Sequence, residues 1–168
     1  MQFRRAAMED LPQIKSAYRE IVQNMRENQI DIWDEIYPFD FFAEDIRRGA
    51  LYLLLEQGEI AGAFALCGEN EGAAHLGWER DAARAVYLDR LGVRPGYAGK
   101  GLASQMLAKA KEQAKGQGAE YLRLFVVDCN RPAIRLYEKN GFRRARGVYD
   151  EVIEEGYFLR EYGYEAAL

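Results

Sequence analysis

A chain of 168 residues with a formal charge of −4 can bury one substantial core without staples and is expected to form a single domain over residues 1–168. Its basic residues are scattered, densest in the pairs Arg47-Arg48 and Arg143-Arg144, which excludes a polyanion-binding stripe and argues against nucleic acid as a partner. Cys67 and Cys129 lie far apart without metal-ligand spacing, pointing to free thiols and no metal, and no signal-like or membrane-spanning run is present, so the reading is cytoplasmic with no membrane partner.

Taken in chain order, residues 2–6 suit a short strand. Glu9-Asp10 precede apolar positions Leu11, Ile14, Tyr18, Ile21 and Met25, a single helical stripe with carboxylates at its positive end, closing near Asn28. Residues 29–39 are irregular and aromatic, and a second short helix runs from about Phe41 to Arg48. Leu51–Glu56 and Ile60–Cys67 read as strands joined by a hairpin turn at Gln57-Gly58-Glu59. Residues 68–84 are polar and Gly-containing and read as a long loop. Ala85–Val93 is a strand, Ala103 to Ala114 marks a helix face, and Tyr121–Val127 is a continuous apolar strand interrupted by Arg123 alone. A short helix spans about Pro132 to Lys139, and Phe142–Tyr149 and Gly156–Tyr164 are the last two strands. The expected fold is α+β: a mixed, mostly antiparallel sheet of six to seven strands with flanking helices.

Two segments carry chemistry. In the first, the strand ending at Leu91-Gly92-Val93 runs through Arg94-Pro95-Gly96-Tyr97 into Ala98-Gly99-Lys100-Gly101 and then the helix Leu102-Ala103-Ser104. Glycines allow close backbone approach, and the helix start offers unpaired N–H groups and a positive dipole end, which together cradle a phosphate. Walker and dinucleotide patterns both fail here. In the second, Asn130 stands where a strand meets a helix and can cap that helix or bind a ligand amide. Ala133 and Tyr137 follow four apart on one helix side, the small residue leaving room and the phenol projecting into it.

Together, in this order, the segments resemble the two signature motifs of the GNAT superfamily of N-acetyltransferases. The first is carried by Val93, Pro95, Gly101 and Ala103, the second by Asn130, Ala133, Tyr137, Gly141 and Phe142. The chain departs from the pattern at Ala98, where the family has Gln or Arg. The resemblance implies acetyl-CoA as cosubstrate, lying in a V-shaped gap beside the strand ending at Val93 and the strand Tyr121–Val127. Backbone groups of Leu91 and Val93 would pair with pantetheine, Ala98, Gly99, Lys100, Gly101, Leu102, Ala103 and Ser104 would hold the pyrophosphate, and Asn130 and Ala133 would line the pantetheine path. It also implies direct attack of a neutral amine on the thioester, with Tyr137 as acid to the departing thiolate and the Val93 N–H toward the oxyanion.

The base is open among Asp89 on the central strand, Glu79, the lone His75, and water. Trp33, Tyr37 and Asp34, within the aromatic and acidic stretch 28–40, suit a pocket for a cationic amine, or equally a loop packed on the core. The function expected is acetylation of a primary amine of a small molecule. The alternatives are a protein Lys or N-terminal acetyltransferase and a non-catalytic acyl-CoA sensor. The aromatic terminal strands could complete the core or pair across a homodimer.

Overall fold

The computed structural model describes residues 1–168. Eight strands, β1 (Gln2–Arg5), β2 (Leu51–Glu56), β3 (Glu59–Cys67), β4 (Ala85–Val93), β5 (Tyr121–Val127), β6 (Arg143–Arg144), β7 (Tyr149–Glu154) and β8 (Tyr157–Ala167), accompany four helices. These are α1 (Leu11–Glu27), α2 (Phe42–Arg47), α3 (Leu102–Gly116) and α4 (Arg131–Lys139). The strand order is β1-β2-β3-β4-β5-β8-β6, with β7 paired to β8, and β4/β5 is a parallel pair in a mostly antiparallel sheet. Two compact units emerge, one of Met1–Leu66 with Arg90–Met106 and one of Cys67–Asp89 with Leu107–Leu168.

In the first unit, Pro12 sits in the first turn of α1, where its missing N–H costs nothing. The helix buries Ile14, Ala17, Tyr18, Ile21 and Val22 along one stripe, as its spacing requires. The β2–β3 hairpin turns on Gln57-Gly58, both in left-handed conformation (φ 53° and 83°), the twist-matched geometry for a two-residue loop. Leu51 to Leu55 are buried without alternation, so β2 is covered on both faces.

In the second unit, β8 pairs with β5 along all seven residues of β5, from Tyr121↔Ala167 to Val127↔Glu161. Arg123, the lone charge in β5, is buried because Glu165 sits opposite it in register at 3.4 Å and the Trp78 ring lies 4.6 Å from its guanidinium carbon. Residues 68–84 are more than a loop. A single 3₁₀ turn spans Ala73–His75, Leu76 and Trp78 are buried with Tyr87 and Ala145, and Gly77 bridges to Arg146. The polar composition of the segment concealed these two anchors.

The tail holds three strands where two were expected, which brings the sheet to eight. The stretch 142–149 is interrupted at Gly147 (φ 85°), leaving a two-residue β6 and freeing Tyr149 to open a hairpin of β7 with β8. That backbone conformation departs from regular strand geometry.

Candidate active site

The glycine loop that follows β4 belongs to the first unit. Beyond β4 the chain tightens into a 3₁₀ turn at Pro95–Tyr97, closed by Tyr97 N–H to Arg94 C=O at 2.9 Å and Ala98 N–H to Pro95 C=O at 3.1 Å. Gly99 and Gly101 both hold φ +74° with open space where a side chain would stand, and Ala98, Gly99, Lys100 and Gly101 are exposed. Leu102 is buried and pins the start of α3, while Ala103 and Ser104 are half-buried in its first turn. Gln105 N–H reaches the Gly101 carbonyl at 3.2 Å, so the N–H groups ahead of it lie at the open, positive end of the helix. This donor row fits a diphosphate. Lys100 is the exposed cation here, its Nζ 5.6 Å from the Tyr97 ring centre. Arg94 is engaged instead by Glu20, at 2.9 and 3.1 Å.

Upstream of the loop, Arg90 adopts φ 55°, unusual for a non-glycine residue and a local break in the strand geometry just before Leu91 and Val93. Several contacts hold it there. Its guanidinium forks onto buried Asp45 at 2.7 and 2.8 Å, and its carbon lies 5.2 Å from the Phe41 ring centre and 5.9 Å from that of Tyr37. The Tyr18 hydroxyl donates to the Arg90 carbonyl and lies 3.1 Å from that of Ala63. Burial pushes that phenol's pKa well up, so it remains a donor. Sequence reading missed Arg90 and Asp45, since nothing local links residues 45 apart.

Trp33 and Tyr37 are half-buried, Trp33 stacked 5.9 Å from Tyr18 and packed against Tyr37 edge-on at 6.3 Å. Asp34 is exposed, and its carboxylate accepts the N–H groups of Ile36 and Tyr37, both at 2.8 Å. Those backbone bonds hold its pKa below the usual carboxylate range, the Tyr37 N–H being the stronger influence. Asp34 thus shapes the turn that carries the aromatic rings.

The second unit carries the titratable groups. Asn130 caps α4, its side-chain oxygen accepting Ala133 N–H at 3.4 Å, and Ala133 is half-buried. Tyr137, one turn on, is buried beside Phe142 and Tyr164. Its hydroxyl has no hydrogen-bond partner in the protein. Burial, and then the Asp89 carboxylate, push its pKa well up, which keeps it protonated through alkaline pH. Asp89 is half-buried on β4, one residue past the last parallel pair, Leu88↔Leu124, although β4 runs on to Val93 and β5 to Val127.

Of the other base candidates, His75 is exposed and stacks on Tyr149 at 5.0 Å. Glu79 is exposed, with its own N–H held by Glu165. Cys129 is exposed and Cys67 half-buried, both free thiols.

A direct match settles the family membership. Residues 14–142 match the acetyltransferase (GNAT) family. The chain belongs to that family. It is an acyltransferase of the GNAT fold. It is 30% identical over 141 residues, 83% of this chain and 78% of the other, to a thialysine N-epsilon-acetyltransferase of Bos taurus. The Mus musculus protein of the same name is 28% identical over 138 residues, covering 80% of this chain and 79% of the other. A GNAT acetyltransferase structure from Streptococcus agalactiae superposes with a TM-score of 0.84 at 22% identity, covering 99% of this chain and 95% of that one. A putative acetyltransferase of Salmonella typhimurium, solved with its cofactor acetyl-CoA, has the same fold at a TM-score of 0.71 and 19% identity, covering 100% and 94%.

Within the GNAT frame one further residue stands out. Glu161 on β8 is half-buried beside Glu151 and Asp89. It was invisible in the sequence because its significance comes from strand register rather than from any motif.

Proposed function

We propose that this enzyme transfers the acetyl group of acetyl-CoA to a primary amine at the end of a small, lysine-like molecule. The observation that carries the reading is the pairing of two elements. One is the glycine loop running into the start of α3, residues 99–102, whose geometry suits a diphosphate; the other is a buried, protonated Tyr137 hydroxyl without a protein partner. The acceptor class is supported by the relatives named for an ε-amine and by the carboxylates Asp89, Glu151 and Glu161 in the second unit.

In this reading the pyrophosphate rests on the N–H groups of residues 99–104. The backbone of Leu91 and Val93 pairs with pantetheine, and Asn130 and Ala133 line its path. The neutral amine attacks the thioester carbonyl carbon, the C–N bond forms, and the C–S bond breaks. The Val93 N–H stabilises the oxyanion, and Tyr137 gives its proton to the departing sulfur. Asp89 attracts the acceptor as its ammonium ion. Trp33 and Tyr37 contribute an aromatic wall, and Asp34 fixes the turn that carries them. Trp33→Ala is expected to raise the acceptor KM and leave acetyl-CoA affinity unchanged.

The test is thiol release on mixing the protein with acetyl-CoA and each of thialysine, lysine, spermidine, an aminoglycoside and a lysine-containing peptide. Release with the small amines and not with the peptide supports the reading. Release with the peptide alone replaces it with a protein acetyltransferase. Silence throughout, with acetyl-CoA still raising the melting temperature, replaces it with an acyl-CoA sensor.

A further inference from the structure

The β-sheet of the second unit presents one face whose membership follows from register alone. Alternation puts Tyr87 and Asp89 of β4 on the same side. Tyr87 stacks on Phe125 at 6.5 Å, which places Phe125 and Val127 of β5 there too. Phe125 is paired with Gly163 and Val127 with Glu161, so Gly163 and Glu161 of β8 share that side. A side chain at Gly163 would run into Leu76 and Trp78, which supports the direction independently. Tyr149 of β7 lies opposite Glu161 and meets the Phe125 ring edge-on at 6.1 Å, and Glu151 follows it by two. Asp89 and Glu161 therefore sit on one face, on strands separated by β5 alone.

The groups facing Glu161 are all acidic or neutral. Glu151 and Tyr149 come from β7, Asp89 from β4, and Val127 from β5. From residues 68–84, Glu71 acts on Glu151 and Tyr149, and His75 stacks on Tyr149. The adjacent cation, Arg160, is committed to Asp150 at 2.8 and 2.9 Å. No hydrogen-bond donor or ion partner serves the Glu161 carboxylate.

We propose that Glu161 is the group that accepts the proton from the acceptor ammonium, with Asp89 holding the cation beside it on the same face. This inference rests on the amine-acetylating reading above. The ammonium N–H bond breaks and its proton passes to a Glu161 carboxylate oxygen. The freed nitrogen pair then attacks the thioester carbon. The second ammonium proton leaves the tetrahedral adduct as the C–S bond breaks, replacing the one that Tyr137 gives to sulfur. Overall, one acetyl group moves and one proton is released to solvent from Glu161. Burial first, then Glu151 and Asp89, raise the Glu161 carboxyl to about 8, close to working pH, where a general base is most effective.

The experiment compares Glu161→Gln with wild type across pH 6 to 10, using thialysine as acceptor. Wild-type kcat/KM should rise through a limb near that carboxyl's value. In the variant the limb should move to the amine's own ionisation, near ~10 for a lysine-like amine. At pH 7.5 the variant should be about 100-fold slower, with the deficit closing as pH approaches the amine's value and acetyl-CoA KM unchanged. A deficit of equal size at every pH marks a structural role and overturns the proposal, as does no deficit.

The melting temperature gives a second test that needs no turnover. A carboxyl raised in the folded state favours protonation there, so it lowers stability as pH rises from its unfolded value through its folded one. Glu161→Gln should therefore match wild type near pH 4.5 and melt higher by a margin that grows to pH 9. A flat difference overturns the proposal. Failure of wild type to acetylate thialysine with the melting margin intact instead strikes the choice of acceptor.

Discussion

In the proposed reading, residues 98–104 would meet a negative ligand with backbone, a short contiguous row of N–H groups opened by two left-handed glycines. Asp89, Glu151 and Glu161 would meet a positive one with side chains drawn from three strands. The first region works through fixed dipoles, which do not titrate and which tolerate an alanine where the family carries a long polar side chain. The second would work through charge that is present only when protons are absent, and Glu151 and Asp89 raise the affinity of Glu161 for protons. Binding of acetyl-CoA should therefore be nearly indifferent to pH, whereas turnover should slope with it.

Both regions depend on β4, which supplies Asp89 to one and leads directly into the other. The largest effect is expected at the buried pair beside its left-handed residue. Asp45→Ala takes the carboxylate from the Arg90 guanidinium, whose side chain is only 6% exposed, and should cost about 3–5 kcal/mol. Calorimetry should show a fall in Tm of roughly 10 °C. A fall within a degree or two would show that the strand keeps its shape without the pair.

Next in size is Tyr137→Phe, which keeps the buried ring and removes the proton. It should lower kcat by about 100-fold and leave acetyl-CoA affinity intact by calorimetric titration. Equal loss of both would move Tyr137 from the chemistry to the binding path. Smaller again is Gly101→Ala. Its left-handed backbone disfavours a side chain by about 1–2 kcal/mol, so acetyl-CoA should bind about 10-fold more weakly, by the same factor at pH 6 and pH 9. A pH-dependent penalty would mean that titrating side chains share in the loop's work.

The smallest effect is expected for Ala98→Arg. An exposed charge there should add ~0.5 kcal/mol, about a twofold gain in acetyl-CoA affinity, and salt should erase it. A large gain would show that the backbone row is a weaker cradle than its geometry implies.

How much of this was legible in sequence follows from how far apart the cooperating residues lie. The strand Ala85–Val93 and the strand Tyr121–Val127 were readable to the residue, because local apolar patterning and the turn residues that follow, Pro95-Gly96 after one and Asp128 and Asn130 after the other, mark their ends. Reading residues 68–84 as a long loop captured their mostly irregular backbone and missed the burial of Leu76 and Trp78, two anchors in a polar segment, too few to give a period. The last strands were miscounted because one left-handed glycine divides a stretch whose composition is uniform. Asp89 was visible as a carboxylate on a central strand, while Arg90 beside it looked like an ordinary charge and proved to be half of a buried pair.

The sequence alone determined the loop, the capped helix and the tyrosine on it, since each needs only residues within a few positions to fix its local conformation. Tertiary structure alone decided that Asp45 neutralises Arg90 and that Arg123 finds Glu165. It also decided that Glu161 shares a face with Asp89 and Glu151. Those outcomes depend on strand register, where a slip of one residue would turn every side chain to the opposite face, and no local pattern in the chain records which residue ends up opposite which.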